Sequence, residues 1–173
     1  MNFPGDSTWV ISSGDGGTFP LFVREALGIR TPTADSIPRL VPPVLPVTGV
    51  LVPPEFTADW DRWWHDCTRT GSGREPIGIS VELRDAYNRW QDGTTWLQDN
   101  RRTVFSNLVH EVVTDMEQEL GRRPIFKLDI LQIPVEGPFW RRLSRDKVLV
   151  SEELMISRNV LAPLESVIRD LAH

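Results

Sequence analysis

Five stretches of the chain repeat apolar residues at the spacing of an amphipathic helix, and capping residues mark where several of them begin or end. The helix over 96–120 has the broadest apolar face, and Thr95 and Gln98 have the spacing of a capping box. The five predicted helices are Thr18–Leu27 closed by Gly28, about 55–67, a helix from its cap Ser80 to Asp92–Gly93, about 96–120, and a C-terminal helix capped by Ser157 or Asn159.

Alternation of apolar and polar residues predicts strands near both ends of the chain. Phe126, Leu128 and Ile130 alternate with charged residues, which is typical of a strand with one face in water. The buried face then shifts toward Ile133, so we expect a bulge near Leu131 or Gln132. Shorter strands are predicted at 9–12, 139–143 and 147–151.

Residues 31–54 hold seven prolines, which should exclude helix and favour extended or polyproline II backbone. The same segment carries many valines and leucines, too much apolar surface for a solvated linker. We therefore expect this proline-rich arm to lie against a core. Together these patterns predict a single α+β domain over 1–173, with a long central helix and shorter helices on a small, mostly antiparallel sheet, joined by the strand near Trp9.

Composition narrows the class of protein. With 173 residues, 40% hydrophobic and 25% charged, the chain suits one folded soluble domain, and its apolar runs are too short to cross a membrane. The single cysteine, Cys67, and the absence of a basic residue before Arg24 indicate a cytoplasmic protein without a secretory signal. Seventeen arginines against two lysines are our only reason to expect a bacterial source.

The glycine loop Gly14-Asp15-Gly16-Gly17-Thr18 lies between a predicted strand and a predicted helix, where backbone amides often hold phosphate. Phe19 replaces the third glycine of the dinucleotide fingerprint, and no Gly-Lys-Ser/Thr follows. Asp15 also places a negative charge where phosphate would lie. A plain turn is the favoured interpretation, and a ligand loop is the alternative.

Catalytic groups are scarce. His110-Glu111 begins a zinc-protease motif, but position 114 is threonine, so we expect no metal site and place His110 on the polar face of its helix. Cys67 follows an aromatic stripe and is expected to be a small buried hydrophobe, although a His110/Cys67 site stays open. Trp60, Trp63, Trp64, Trp90 and Trp96 are expected to form core rather than a ligand cage. No cofactor is predicted.

The stretch 122–147 holds seven basic and three acidic residues, a local charge of +4 within a chain of net charge -5. Its hairpin offers tryptophan and arginine, the residue types that most often dominate protein interfaces. The acidic remainder argues against nucleic acid. We therefore predict a non-catalytic protein-interaction or regulatory module that neutralises or adapts a partner protein through Trp140, Arg141, Arg142 and Arg145. A small enzyme or nucleotide-binding protein that uses the Gly14–Thr18 loop or a His110/Cys67 site is the alternative.

Overall fold

A computed structural model of the protein describes residues 9–49, 54–76, 78–94 and 98–173, and its fold class is α+β, as predicted. No helix in these ranges is long and apolar enough to cross a membrane. The strands are β1 (Trp9–Asp15), β2 (Phe126–Ile133), β3 (Trp140–Ser144) and β4 (Lys147–Ser151). The helices are α1 (Thr18–Leu27), α2 (Pro32–Asp35), α3 (Pro54–Thr70), α4 (Val81–Asp92), α5 (Gln98–Leu120), α6 (Glu152–Met155) and α7 (Leu161–Ala172), with a short 3-10 helix at Arg158–Val160.

The described residues form two compact units. We call residues 9–14, 98–132 and 137–173 the sheet unit, and residues 15–49, 54–76, 78–94 and 133–136 the aromatic unit. The chain enters the aromatic unit twice, once after β1 and again briefly after β2. The prediction that residues 1–173 form one domain stays a prediction.

The sheet has the strand order β1-β2-β4-β3 and is mixed. Strands β3 and β4 are antiparallel, with Trp140 opposite Val150. Two contacts show that β1 and β2 are parallel: Trp9 stacks on Phe126, and the Ser12 hydroxyl donates to Asp129. Both pairs are separated by 117 residues, and the separation stays constant only when the two strands run in the same direction. A parallel pair needs a long connection, and here α5 is the helix that leads back into β2.

One face of this sheet forms the core of the sheet unit with α5, α6 and α7. The apolar stripe of α5 meets inward-facing residues of β1, β2 and β4, which occupy every second position of each strand as the pleat requires. Within β2, Ile130 and Leu131 are both buried although they point to opposite faces. The buried face therefore changes between Ile130 and Leu131, and the bulge near Leu131 or Gln132 stays a prediction.

Stacked rings fill much of the aromatic unit. Trp60 and Trp64 of α3 are buried and stack with ring centroids 6.2 Å apart. The Trp60 indole donates to the Pro20 carbonyl oxygen at 2.7 Å, which ties α3 to α1. Tyr87 of α4 packs 4.7 Å from Phe19 of α1. The predicted tryptophan core is thus confirmed for Trp60, Trp63 and Trp64, whereas Trp90 is only half-buried and Trp96 lies outside the described part of the chain.

A buried arginine fastens the proline-rich arm to α1. The Arg24 guanidinium is 6% exposed and donates to the carbonyl oxygens of Ala34, Ile37 and Pro38, each at 2.8 Å. Its neighbour Glu25 lies 3.2 Å from it and accepts from the backbone N–H of Leu40. The arm then pairs with the segment after β2, because Val41 N–H donates to Pro134 O and Glu136 N–H donates to Arg39 O, both at 2.8 Å.

The structure corrects two predictions about the arm. Residues 31–54 were expected to exclude helix, but Pro32 occupies the first turn of α2, where a missing N–H costs nothing, and Thr31 caps it. Burial of the arm is also incomplete: Ile37 and Leu40 are buried, whereas Leu45 is 83% exposed. Residues 50–53 lie outside the described residues, as does the capping box predicted at Thr95.

Most of the other predicted elements agree closely with the observed ones, except that α7 begins at Leu161 without a side-chain cap and Ser157 caps the 3-10 helix before it. Helix α1 and its terminator Gly28 fall where predicted, Ser80 caps α4 by accepting from Leu83 N–H, and the 96–120 prediction corresponds to α5. Helix α3 continues to Thr70, three residues beyond the predicted end. Helix α6 was not predicted, because four residues capped by Ser151 are too short to show a period.

Candidate functional site

The β3–β4 hairpin carries the residues that the sequence marked for partner binding. Its register shifts between Arg142 and Ser144, close to the turn. Strand β3 is the last strand of the sheet, so in the part of the chain that the structure describes no strand pairs with its outer side. An open edge of this kind presents backbone N–H and C=O groups to other chains.

Trp140 and Arg142 share one side of β3, as predicted for alternate residues of a strand. The Trp140 ring is half-buried and packs against the core of the sheet unit. Arg142 donates to Asp170 of α7 at 2.6 Å and to the Ser144 carbonyl oxygen at 3.1 Å. The Arg142 guanidinium lowers the pKa of Asp170. Both side chains are therefore engaged inside the sheet unit, and their role as anchors stays a prediction.

Arg141 and Arg145 are the other two predicted anchors. The Arg141 guanidinium lies over the ring of Phe139, 5.2 Å from its centroid, which holds its charge beside an apolar surface. Arg145, in the turn, is exposed. Both cations thus belong to the β3–β4 hairpin, Arg141 on β3 and Arg145 in its turn.

The hydrogen-bonding pattern shows which backbone groups of β3 face outward. Ser151 N–H donates to Phe139 O at 3.0 Å, so Phe139 and then Arg141 form the hydrogen-bonded pairs with β4. The backbone groups of Trp140 and Arg142 then point away from β4. In the part of the chain that the structure describes, the outer edge thus offers backbone groups that no strand pairs, with the two arginines in the same hairpin.

The glycine loop, the alternative ligand site, satisfies its own donors. The Asp15 carboxylate accepts from Gly17 N–H and Thr18 N–H, both at 3.1 Å, and from the Thr18 hydroxyl. Gly17 has a positive φ of 82°, and an added Cβ would lie 3.0 Å from the buried Trp64 ring. The amides that would hold phosphate are occupied by a carboxylate of the same chain.

Cys67 and His110 lie in different units and have different surroundings. Burial raises the pKa of the Cys67 thiol, and the carboxylates of Asp15, Asp66 and Glu75 raise it further, which favours the neutral thiol. A Cβ on Gly73 would lie 2.8 Å from Cys67 Sγ, so the 71–73 loop covers it closely. His110 is exposed, as predicted, with its ring 5.9 Å from that of Trp9.

Sequence reasoning missed a third group of residues. Ser13, Arg101, Arg102, Gln132 and Glu152 line a small cleft in the sheet unit. One signal for it was available, since adjacent arginines at the start of α5 are cations at the positive end of a helix. The convergence of β1, β2, α5 and α6 could not be read from the sequence, because it depends on the parallel pairing of distant strands.

No known protein family, curated protein or solved structure matches this chain. Among the described residues, no group of three or more histidine, cysteine, aspartate or glutamate side chains is placed to hold a metal ion. The features that bear on function are therefore the geometry of the hairpin, the glycine loop and the cleft.

Proposed function

We propose that this protein is a non-catalytic interaction module that binds an acidic, extended segment of a partner protein along the outer edge of β3. The observation that carries the proposal is the open β3 edge with Arg141 and Arg145 beside it. A bacterial, cytoplasmic regulator that neutralises or adapts its partner is the finer form of the proposal, drawn from composition.

Strand addition supplies a physical mechanism for such binding. The outward backbone groups of Trp140 and Arg142 would form main-chain hydrogen bonds with the partner, which give affinity without regard to sequence. Arg141 and Arg145 would then select acidic side chains by charge. Trp140 and the Arg142–Asp170 pair would hold the strand rigid from the helix side.

The charge distribution favours an acidic protein segment over nucleic acid. The region 122–147 is locally +4, whereas the whole chain is -5. A short acidic peptide would contact only the basic hairpin, but a long polyanion would also meet the acidic remainder of the molecule.

The glycine-loop alternative has less support. Its two amides at the start of α1 are already bonded to Asp15, and phosphate would have to displace that carboxylate. The His110/Cys67 alternative lacks an activated thiol, because the surroundings of Cys67 raise its pKa.

The test uses short fluorescent peptides and fluorescence polarisation with the full chain. One peptide alternates glutamate with valine, a second alternates lysine with valine, and a third is the acidic peptide with N-methyl groups on alternate amides. We expect the acidic peptide to bind, the basic one not to bind, and N-methylation to weaken binding about tenfold by blocking strand pairing.

Two matched variant pairs divide the backbone contribution from the charge contribution. Arg142→Ala and Arg142→Pro both remove the guanidinium, but only proline removes the outward N–H, so we expect the weaker binding in Arg142→Pro. Arg145→Glu should weaken binding, whereas Arg89→Glu, an equal charge change on exposed α4 surface, should not. Equal binding of acidic and basic peptides, or no effect of N-methylation and Arg145→Glu, would refute the proposal.

A further inference from the structure

The cleft in the sheet unit lies at the carboxyl ends of the two parallel strands. Ser13 is near the end of β1 and Gln132 near the end of β2, while α5 contributes Arg101 and Arg102. The buried side chains of Phe105 and Met155 form an apolar wall. The cleft is narrow, and most of the roughly 450 Å³ around it is open to solvent, so a ligand would lie partly outside it. Crevices outside the carboxyl ends of parallel strands are where open α/β sheets bind ligands.

The charges in this cleft are unevenly paired. The Arg101 guanidinium is bonded to the Glu152 carboxylate, and both side chains are largely covered. Among the residues that the structure describes, Arg102 has no ion pair or side-chain hydrogen bond, and neither do the Ser13 hydroxyl and the Gln132 amide. Counted over its described lining residues, the cleft therefore has two arginines against one glutamate, a surplus of one positive charge, and two polar side chains without a partner among the described residues.

Helix stability does not account for the arginines. Arg101 lies in the first turn of α5 and Arg102 directly follows it, where a cation opposes the helix dipole, and the last turn of α5 has no basic residue. Moving these charges to the other end would favour the helix. Their actual place puts both guanidinium groups on the cleft.

We propose that this cleft binds the carboxylate of a small organic acid. Arg102 would bond the two carboxylate oxygens in the bidentate geometry that guanidinium groups favour. The Ser13 hydroxyl and the Gln132 amide would donate the remaining hydrogen bonds, and the apolar part of the ligand would pack on Phe105 and Met155. One surplus positive charge matches a carboxylate of charge -1 better than a phosphate monoester of charge -2. Glu152 would repel the dianion more strongly than the monoanion. This ligand site is independent of the β3 edge.

The experiment uses benzoate as the probe, with benzamide as its uncharged isostere and phenyl phosphate as the dianion. Binding is measured by isothermal titration calorimetry, and the site is mapped by backbone and side-chain amide shifts in NMR. We expect saturable benzoate binding with a millimolar dissociation constant, shifts at Ser13, Gln132 and α6, and weaker or no binding of the other two compounds.

Variants then test which residues hold the anion. Arg102→Gln should weaken benzoate binding about tenfold or more, and Ser13→Ala a few-fold. Arg62→Gln, which removes an exposed arginine from α3, is the matched control and should leave binding unchanged. Arg102 is exposed and forms no ion pair or side-chain hydrogen bond with the described residues, so its replacement should preserve the fold. The NMR spectrum checks this directly.

Three results would overturn the proposal. They are the absence of saturable benzoate binding, equal binding of benzamide, and benzoate affinity that survives Arg102→Gln. Tighter binding of phenyl phosphate than of benzoate would contradict the assignment of a carboxylate ligand. If Arg102→Gln failed to fold, the Ser13→Ala affinity and the mapped shifts would decide the same question.

Discussion

The cores of the two units differ in what holds them together. In the sheet unit, aliphatic side chains such as Leu108, Val112 and Leu164 dominate, and regular periods of sequence place them inside. In the aromatic unit, stacked tryptophans combine with a buried arginine that binds three backbone carbonyls. The first kind of core depends on volume and area, whereas the second also depends on a few directional bonds. Replacement of a single polar residue should therefore destabilise the aromatic unit more than the sheet unit.

The largest expected effect is at Arg24. Arg24→Met keeps much of the volume but removes the partner of three carbonyl oxygens and of the Glu25 carboxylate, which is 15% exposed. Breaking one member of a buried ion pair typically costs about 3–5 kcal/mol. Urea denaturation should show a loss of about this size.

The control for Arg24 is Arg30→Met, since Arg30 forms an exposed pair with Asp35. Its loss should cost no more than about 1 kcal/mol. Similar values for the two arginines would mean that the aromatic unit does not depend on the buried guanidinium.

A cavity in the sheet unit should have the next largest effect. Leu108→Ala removes a buried side chain from the apolar face of α5 and should reduce the free energy of unfolding by about 3 kcal/mol. His110→Ala, on the exposed face of the same helix, should cost at most about 1 kcal/mol, from its edge contact with Trp9. A larger loss for His110→Ala would show that the faces of α5 are wrongly assigned.

Asp15 tests the self-satisfied glycine loop with a smaller effect. Asp15→Ala frees the amides of Gly17 and Thr18 and should cost about 1–2 kcal/mol, as the loss of a helix cap does. Inorganic phosphate should then raise the melting temperature of Asp15→Ala and leave that of the wild type unchanged. Equal stabilisation of both proteins would revive the ligand-loop alternative.

The smallest effect is an optical one at Tyr87, the only tyrosine in the chain. Burial raises the pKa of Tyr87 to about 12. Its phenol is neutral in the folded state, so the stability it contributes is complete below the unfolded pKa near 10 and is lost as pH rises toward 12. Absorbance at the phenolate band should rise only near pH 12 in the native protein and near pH 10 in urea. Coincident titrations would place Tyr87 in water.

The contrast between the units also explains what the sequence could predict. Helices α1, α4 and α5 follow from apolar periods and from caps such as Ser80, which are local signals. Helix α2 could not be predicted from proline content, because proline breaks a helix interior but fits its first turn, where Pro32 lies. The role of Arg24 was missed because an arginine in an amphipathic helix is usually solvated, and its partners lie beyond that helix.

The candidate sites show the same division. The basic hairpin could be predicted because its arginines and its turn are consecutive in sequence. The cleft could not, because Ser13 and Gln132 meet only through the parallel pairing of β1 with β2. Whether a donor already has a partner also depends on tertiary structure. The loop amides bond the Asp15 carboxylate, whereas the Arg102 guanidinium has no partner among the described residues.

The second entry of the chain into the aromatic unit has a consequence for protein synthesis. Strand β1 can pair only after β2 has been synthesised, since Ser12 bonds Asp129, which lies 117 residues later in the chain. Within a few residues of that point, Pro134 and Glu136 supply the partners of Val41 and Arg39. One short stretch, 126–136, therefore supplies the partners of both β1 and the arm, and on the ribosome neither of these can pair until that stretch has left the exit tunnel. A nascent chain stalled before this stretch would expose an unpaired strand and an unpaired arm together, a state that chaperones rather than tertiary contacts would have to protect.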